Sequence, residues 1–265
     1  MKPWLVALDV DGTILTNGYQ VLPEVRAAIQ TARRDGVTVA LATARSLDAM
    51  RHVLDETGGV DAAICFGGAV TLWPMETVPV AEATLAPGQI AEVARFARGL
   101  DVSLALYGLH EVYVDRMDAR LETEFRMTGL TAVETDLTLL DRPVIKGLAI
   151  SDRHDASSLH TLQARFGAEM SVLFSHVNFM EIMRSGVSKG GAVSALAGRL
   201  GVAMDRVIVM GDSENDLSMF AAAGVPIAMG NASDRVKAQA RWVTLTNDEG
   251  GVAAALDRCR DELWR

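Results

Sequence analysis

The sequence predicts an α/β protein in which a parallel-sheet core is interrupted by an inserted α+β domain. Three observations lead to this prediction. Apolar runs of strand length alternate with helical patterns in the first third of the chain and again in the last third. Between these regions, short strand patterns come in pairs joined by tight turns, which is typical of antiparallel strands. The apolar runs at 4–8 and 206–210 end abruptly in acidic residues and a glycine, which indicates buried strands that run into turns.

The first region of the predicted core alternates strands with helices. Pro23 suits a first helical turn, and apolar residues at helical spacing follow it. Ser46 can cap a second helix, which Gly58-Gly59 ends. The predicted elements are strands at 4–8, 37–43 and 61–66 and helices at 22–35 and 46–56.

The pattern changes near residue 84 and alternation returns after Gly186. The predicted elements of the insert are helices at 87–98, 119–128 and 155–166 and strands at 102–107, 112–116, 144–150, 170–175 and 179–183. The elements after it are helices at 189–200, 217–223, 233–240 and 251–263 and strands at 206–210, 226–229 and 242–245. We therefore expect one domain from residues 1–83 and 184–265, with residues 84–183 inserted into it.

The composition is that of a globular protein large enough for two domains. The chain has 265 residues, of which 49% are apolar and 22% are charged. A net charge of −9, without any run of lysines and arginines, argues against a nucleic-acid partner. Cys65 and Cys259 form no metal-binding pattern, so we expect buried thiols in a reducing compartment. We expect neither a signal peptide nor a membrane partner, and hence a cytoplasmic protein, because no apolar stretch has the necessary length.

Polar residues gather where the predicted core strands end. They are Asp9 and Asp11 after the first strand, Thr43 and Arg45 after the second, Lys189 at the start of a helix, and the segment 211–216 after the strand at 206–210. One site can collect them, because ligands of open parallel sheets bind beyond the carboxyl ends of the strands. Asp9 and Asp11 would point to one face of the strand, and two crowded carboxylates repel unless a cation or a proton lies between them. Oxygen ligands of this kind suit a hard cation such as Mg²⁺.

These motifs resemble those of the haloacid dehalogenase superfamily, in its Cof-like branch with a type IIB cap. The resemblance rests on DVDGT at 9–13, Thr43, Lys189 within GVSKG and GDSEND at 211–216, which stand in the family's order. It implies a Rossmann-like three-layer α/β/α core with a parallel sheet and an inserted α+β cap domain of type C2B. It also implies a phosphatase for a small phosphorylated metabolite, with a sugar phosphate as the expectation at the level of the family.

The resemblance implies chemical roles for four carboxylates. Asp9 would be the nucleophile that forms an aspartyl-phosphate, and Asp11 would act as the general acid and then the general base. Mg²⁺ would be held by the Asp9 side chain, the Asp11 carbonyl and Asp212. The predicted metal-binding residues also include Asp216, which would orient the metal's ligands or water without contacting the ion directly.

The resemblance also implies which residues hold the phosphate. Thr43 would donate a hydrogen bond to a phosphoryl oxygen, and Lys189 would balance the negative charge of Asp9 and the phosphate. The predicted substrate-binding set is Thr43, Ala44, Arg45, Lys189 and Asn215. For Arg45 a solvated or cap-paired side chain is the alternative, and for Asn215 a helix cap is the alternative.

The sequence departs from the family's pattern at two positions. Ala44 stands where the family often has the glycine of Thr-Gly-Arg, and Gly67 stands where it often has the asparagine of Asn-Gly-Ala. Neither change removes a catalytic group, but the second removes a possible substrate contact. In the insert, the turn with Ser175, His176 and Asn178 could face a pocket or be an ordinary polar turn.

Other functions stay open at this point. Gly186 to Gly190 also matches the GxSxG pattern of a serine hydrolase, with Ser188 as nucleophile. That pattern needs a later histidine, and all five histidines precede Ser188. A phosphomutase of the same fold and a non-catalytic phosphate-binding module remain as alternatives. The sequence does not predict the substrate or the oligomeric state.

Overall fold

A computed structural model of the chain describes residues 3–73 and 79–264, with the side chain of Met127 left out. The chain divides into two compact units. The first consists of Met1–Arg45, Met50–Ala81 and Ser188–Arg265, and the second of Ser46–Ala49 and Glu82–Val187. The predicted insert at 84–183 lies within the second unit, and its behaviour as an independent domain stays a prediction.

The elements are numbered along the chain. The strands are β1 (Leu5–Leu8), β2 (Thr38–Ala42), β3 (Ala62–Cys65), β4 (Val70–Leu72), β5 (Ala81–Glu82), β6 (Ser103–Tyr107), β7 (Val112–Val114), β8 (Ala132–Glu134), β9 (Lys146–Ile150), β10 (Met170–His176), β11 (Phe179–Arg184), β12 (Val207–Gly211), β13 (Val225–Ala228) and β14 (Trp242–Val243). The α-helices are α1 (Pro23–Arg34), α2 (Arg51–Glu56), α3 (Pro87–Ala97), α4 (Ala119–Thr128), α5 (Ser157–Phe166), α6 (Lys189–Leu200), α7 (Leu217–Ala222), α8 (Asp234–Lys237) and α9 (Gly251–Glu262).

The sheet of the first unit has its topological switch point at β1. Its strand order is β14-β13-β12-β1-β2-β3-β4-β5, and the pairs from β14 to β3 are parallel. The chain therefore moves outward from β1 in one direction through β2 and β3, and in the other direction through β12 and β13. A crevice opens beyond the carboxyl ends of strands at such a reversal, and this is where α/β sheets bind ligands.

The predicted parallel sheet is confirmed for these strands. Strand β4, which was not predicted, pairs with β3 in the antiparallel direction. The cause is a tight turn at Phe66–Gly68, where all three residues have positive φ. The predicted helix at 46–56 is also divided. A 3₁₀ turn at Asp48–Met50 precedes α2, although Ser46 caps the start through its hydroxyl as predicted, 3.3 Å from the Ala49 amide.

The core of the first unit packs α6, α7 and α8 against the central strands. Leu5 and Ala7 of β1 and Val207 and Val209 of β12 belong to this cluster and are fully buried. Alternation along each strand puts these residues on one face of the sheet. Helices α1 and α9 contact each other outside that cluster, which gives the three-layer arrangement.

The second unit has its own sheet and its own core. The strand order is β10-β11-β9-β6-β7-β8, and the pairs are antiparallel except for β7 and β8, which are parallel because α4 lies between them in the chain. Its core packs α3 and α5 on the sheet through Ile90, Val93, Leu159 and Phe166. None of the described helices is long and apolar enough to cross a bilayer.

Candidate active site

Asp9 lies at the carboxyl end of β1, at the switch point of the sheet. Its backbone amide donates to the carbonyl of Met210 at the end of β12, over 3.0 Å. The chain then turns so that the amides of Ile14 and Leu15 both donate to the Val10 carbonyl. This turn holds the Asp9 side chain in a buried position, with 4% of its surface exposed.

Gly12 lets this turn approach the loop that follows β12. Its φ of +73° is in the left-handed region, and a Cβ at this position would overlap the carboxylate of Asp212. Glycine avoids both the strain and the clash. The glycine of DVDGT therefore brings the two acidic loops together.

Lys189 joins the carboxylates of these loops. It is the first residue of α6, and its Nζ lies 2.5 Å from Asp9 Oδ1, 2.7 Å from Asp216 Oδ1 and 3.1 Å from Asn215 Oδ1. Only 2% of Lys189 is exposed. Burial alone would lower the pKa of this ammonium, but Asp9 and Asp216 outweigh burial and leave its pKa above the ordinary value. The lysine is therefore a fixed positive charge.

Asp216 is a buried anchor for the loop after β12. Its Oδ2 accepts from the backbone amides of Asp212 and Ser213, each over 3.1 Å, and its Oδ1 accepts from Lys189. Every part of the Asp216 carboxylate is thus engaged by the protein. The predicted role of Asp216, in which it orients the metal's ligands or water, stays a prediction.

The side chain of Asn215 contacts Lys189 and Ser213. Its Oδ1 accepts from Lys189 Nζ and from the Ser213 hydroxyl, 2.7 Å away. Asn215 therefore helps to hold the lysine, and its side chain does not cap a helix. A substrate contact by Asn215 stays a prediction.

Three carboxylates converge on a place where a cation could bind. One oxygen each from Asp9, Asp212 and Asp216 lies within 4.8 Å of the others. Asp212 Oδ1 is buried and, among the described residues, has no hydrogen-bond partner. The three carboxylates outnumber the Lys189 ammonium by two, so a divalent cation would balance the cluster. The donor set fits Mg²⁺, which prefers carboxylate oxygens.

The pKa values of these carboxylates also indicate that the cluster has an excess of negative charge. Burial raises the pKa of Asp9, and the charges of Asp216 and Asp212 raise it further, while Lys189 opposes them. Burial and then Asp216 raise the pKa of Asp212 to about 6. Carboxylates that are buried beside one another favour a proton unless a cation is present.

The carboxylate of Asp11 is separate from this cluster and pairs with Arg45. Arg45 Nε donates to Asp11 Oδ2 over 2.9 Å, and Nη2 donates to Oδ1 over 2.6 Å. The hydrogen bond to Asp11 is the main reason that the pKa of Arg45 is raised. The predicted role of Asp11 in metal binding was through its carbonyl, and it stays a prediction. The pair with Arg45 was not foreseen.

Thr43 lies in the loop after β2, where the following residues hold it in place. The Arg45 amide donates to Thr43 Oγ1 over 3.1 Å, and the Gly67 amide donates to the Thr43 carbonyl over 2.9 Å. Ala44 lies between these residues in the same loop. Thr43 as a whole is 1% exposed. The predicted contact of its hydroxyl with phosphate stays a prediction.

The structure explains the departure at Gly67. Its φ of 63° and ψ of 17° are in the left-handed helical region. Asparagine is one of the few other residues that tolerate this conformation. Either residue can therefore adopt this conformation, and glycine does so without the side chain that asparagine would contribute.

Ser188 lies at the start of α6. The Ser188 hydroxyl caps α6 by accepting from the Gly191 amide over 3.1 Å, which disfavours a nucleophilic role.

In the turn between β10 and β11, His176 and Asn178 interact with each other over 3.0 Å, and the Asn178 carbonyl accepts from the Ser151 amide. This is the pattern of an ordinary polar turn.

Asn231 is part of the site, and the sequence analysis missed it. Its Nδ2 donates to the Gly12 carbonyl over 2.8 Å and lies 3.4 Å from Asp212 Oδ2. Asn231 follows β13, so the rule about carboxyl ends of strands applies to it as well. That rule could have found it, since Met-Gly-Asn comes directly after an apolar run.

The comparison with known proteins gives a family match along most of the chain. The chain matches the family described as haloacid dehalogenase-like hydrolase over residues 6–256. The chain belongs to this family. The predicted family and α/β fold are thereby confirmed, as is the prediction of a hydrolase of the phosphatase type.

Individual relatives align with the chain over almost its whole length. It is 28% identical to 5-amino-6-(5-phospho-D-ribitylamino)uracil phosphatase YitU of Bacillus subtilis, covering 96% of this chain and 97% of the relative. It is also 28% identical to phosphatase YwpJ of Bacillus subtilis, covering 94% and 97%. A haloacid dehalogenase-like hydrolase from Bacteroides thetaiotaomicron superposes with a TM-score of 0.86 at 28% identity, covering 97% of this chain and 99% of that one.

Proposed function

We propose that this phosphatase hydrolyses a small phosphate monoester in two steps, through an aspartyl-phosphate on Asp9 and with Mg²⁺ as its metal. The observation that supports the proposal best is the buried contact between Lys189 Nζ and Asp9 Oδ1, 2.5 Å apart. It places the Asp9 carboxylate at the end of β1 next to a fixed positive charge, which favours the ionised form against the opposing effects of burial and of Asp216 and Asp212. A carboxylate in this position can act as a nucleophile toward phosphorus.

In the first step, an oxygen of Asp9 attacks the phosphorus atom and the bond to the leaving oxygen breaks. Asp11 gives that oxygen its proton, so that an alcohol leaves. In the second step, Asp11 accepts a proton from water, which attacks the phosphorus, releases inorganic phosphate and restores Asp9. General acid and base catalysis of this kind contributes about 10²–10⁴ in rate.

The positive groups lower the cost of bringing an anionic phosphate to an anionic carboxylate. Lys189 would contact both, and the Thr43 hydroxyl would donate to a phosphoryl oxygen. Asp9, Asp212 and the Asp11 carbonyl would hold Mg²⁺, which supplies further positive charge when it is bound. Exhaustive chelation should therefore abolish activity, and readdition of Mg²⁺ should restore it.

The pair between Arg45 and Asp11 bears on the first step. The pair occupies both carboxylate oxygens of Asp11, whereas the first step needs one of them to give a proton to the leaving oxygen. We infer that this pair opens when substrate binds, and that Arg45 then contacts the part of the substrate remote from phosphorus. Its bidentate geometry suits a carboxylate or a second phosphate group.

The substrate is proposed only as a class. YitU acts on a phosphorylated ribitylaminouracil, so a sugar phosphate or a related phosphorylated metabolite is the class to test first. A screen of phosphate monoesters would name the substrate. Transfer of the phosphoryl group from Asp9 to another hydroxyl of the sugar, without release of inorganic phosphate, would instead indicate a phosphomutase.

The intermediate can be tested with Asp11→Asn. An amide cannot accept a proton from water, so the second step should stop. With an activated aryl phosphate, whose leaving group needs no proton, the variant should release one equivalent of phenol in a burst. Mass spectrometry after acid quench should then find one phosphoryl group on the peptide that contains Asp9.

Asp9→Asn is the control, and it should give neither burst nor adduct. An adduct on the peptide that contains Ser188 would overturn the proposal and restore the serine nucleophile. A burst without any adduct on Asp9 would also contradict the proposed intermediate.

A further inference from the structure

We infer that Asn231 is a positioning residue that aims Asp212 at the metal by tying the loop after β12 to the turn after β1. The inference rests on the proposed function for its metal. Asn231 Nδ2 donates to the Gly12 carbonyl over 2.8 Å and lies 3.4 Å from Asp212 Oδ2. One amide group thus contacts both acidic loops of the site.

The orientation of the Asn231 amide follows from its partners. The backbone amide of Asn247 can only donate, and it contacts Asn231 Oδ1 over 3.0 Å. The Gly12 carbonyl can only accept, so the NH₂ group must face Gly12 and Asp212. Asn231 is therefore held in one orientation from both ends.

Asn247 extends this support into the protein interior. It is 2% exposed, and its Nδ2 donates to the Leu15 carbonyl over 2.9 Å. Leu15 ends the turn that Asp9 begins. The pair of asparagines therefore joins their two loops to the turn after β1, which is distant in the chain, since Asn231 and Gly12 are separated by 219 positions.

The backbone around Asn231 is fixed in the same place. The Met229 amide donates to the Gly211 carbonyl over 3.0 Å, and the Gly230 amide donates to the Leu245 carbonyl over 2.9 Å. A Cβ at Gly230 would come within 2.8 Å of the Thr246 nitrogen, so this loop packs closely on its neighbour. A rigid backbone allows the Asn231 side chain to set the position of Asp212.

The consequence is a difference between the two oxygens of Asp212. Asn231 faces Oδ2, while Oδ1 is buried and has no hydrogen-bond partner among the described residues. A carboxylate held by one oxygen presents the other in a defined direction. Partners that orient metal ligands in this way typically contribute about 10–100-fold to metal affinity or activity.

The test uses the full-length chain and measures Mg²⁺ binding directly by titration calorimetry, in the absence of substrate. Asn231→Ala should raise the Kd for Mg²⁺ by about tenfold or more. At saturating Mg²⁺ its kcat on an aryl phosphate should return to within a few-fold of wild type. A role in general stability alone would not shift the Mg²⁺ dependence in this way.

Gln30→Ala is the matched control. The Gln30 amide also donates to two carbonyls, those of Thr57 and Gly59, each over 2.8 Å, but it does so at the loop before β3. Its Kd for Mg²⁺ should stay within twofold of wild type. If Asn231→Ala is not soluble, Asn231→Ser is measured instead, because a hydroxyl is too short to make both contacts.

The outcomes separate this inference from the proposed function. An unchanged Kd in the Asn231 variant, or an equal loss in the Gln30 variant, overturns the inference. Selective loss of Mg²⁺ binding supports it, even if no phosphate monoester is hydrolysed, in which case only the proposed function fails. Wild-type protein that does not bind Mg²⁺ would overturn both.

Discussion

At the scale of single residues, the charge of Lys189 dominates the site. Its Nζ contacts Asp9 and Asp216 in a buried environment. A pair of unit charges 4 Å apart is worth about 4 kcal/mol at an effective dielectric of 20, and these contacts are shorter. Arg45 differs, because its side chain and that of its partner Asp11 are 23% and 51% exposed. The charge of Lys189 therefore interacts more strongly with its partners than the charge of Arg45 does with Asp11.

Lys189→Ala should lose far more rate on a small aryl phosphate than Arg45→Ala does. Removal of a charged donor that contacts the reacting group costs about 10²–10³ in kcat. Arg45→Ala should stay within about tenfold of wild type, because this substrate has no remote part for Arg45 to contact.

Steady-state kinetics of both variants at saturating Mg²⁺ would measure this difference. Thermal melting is the control, since loss of one partner of a buried ion pair costs about 3–5 kcal/mol of stability. Equal losses of rate in two folded variants would mean that one of these residues has been assigned the wrong role.

At the scale of elements, the site is made by the turns that follow parallel strands. The turn after β1 provides Asp9 and Asp11, the turn after β12 provides Asp212 and Asp216, and the start of α6 provides Lys189. Each turn is shaped by glycines or by backbone hydrogen bonds. The chemistry therefore depends on how closely neighbouring turns approach one another.

Gly12→Ala should test this approach, with Gly36→Ala as its control. Both glycines have positive φ, +73° at Gly12 and +83° at Gly36, but only at Gly12 would a Cβ meet another residue. Each substitution should cost about 1–2 kcal/mol through backbone strain. Only Gly12→Ala should also displace Asp212.

We therefore expect Gly12→Ala to lose Mg²⁺-dependent activity and Gly36→Ala to keep it. Melting curves would report the shared strain, and kinetics as a function of Mg²⁺ concentration would report the displacement. A Gly12 variant with wild-type Mg²⁺ dependence would show that the close approach to Asp212 is dispensable.

Helix α3 of the second unit ends next to a charge cluster of Arg98, Asp115 and Asp136. Arg98 contacts Asp115 over 2.5 Å and Asp136 over 2.6 Å. Arg98 is the main reason that the pKa of Asp115 is lowered, while Thr138 and then Arg98 lower the pKa of Asp136 to about 2. An acid with a lowered folded-state pKa stabilises the fold above its unfolded value, about 3.9, and loses this contribution as pH falls toward 2.

Arg98→Met should therefore lower Tm at pH 7, and the difference from wild type should shrink as pH falls from about 4 to about 2. Arg120→Met is the control, because Arg120 pairs with Asp101, whose side chain is 78% exposed. Melting curves at several pH values would decide. A difference that is constant with pH would mean that packing of the Arg98 stem carries the effect.

At the scale of the whole molecule, each of the two units has a hydrophobic core cluster of its own among the residues that the structure describes. The first cluster includes residues from β1, β2, β3, β12, β13 and the helices α6 to α8. The other lies wholly between Leu85 and Ile182. Each unit therefore buries its own apolar surface, which is the requirement for independent folding.

We predict that excision of residues 84–183 leaves a folded first unit that has lost substrate selectivity. The reason is that the first core includes no residue of the excised segment, and the predicted catalytic groups all lie outside it. Cooperative thermal unfolding and activity across a set of phosphate monoesters would measure both parts. A molten or insoluble product would count against the predicted domain boundaries.

Much of the fold and part of the site could be predicted from the sequence because the relevant signals are local. Apolar periodicity marked the strands, and acidic residues directly after them marked the sheet edge where Asp9, Lys189 and Asp212 meet. Shorter elements escaped notice. Strand β8 has three residues, with burial that does not alternate, and the turn that reverses β4 depends on a positive φ at Phe66, which the residue type does not indicate.

The sequence by itself determined the α/β class, the order of the motifs and the residues that can carry charge at the strand ends. Only the tertiary structure decided which residues contact one another at the site. Arg45 with Asp11 and Asn231 with Gly12 are contacts between residues 34 and 219 positions apart. The physical reason is that periodicity and turn chemistry act over a few residues, whereas the direction of a side chain at a sheet edge depends on every loop that packs there.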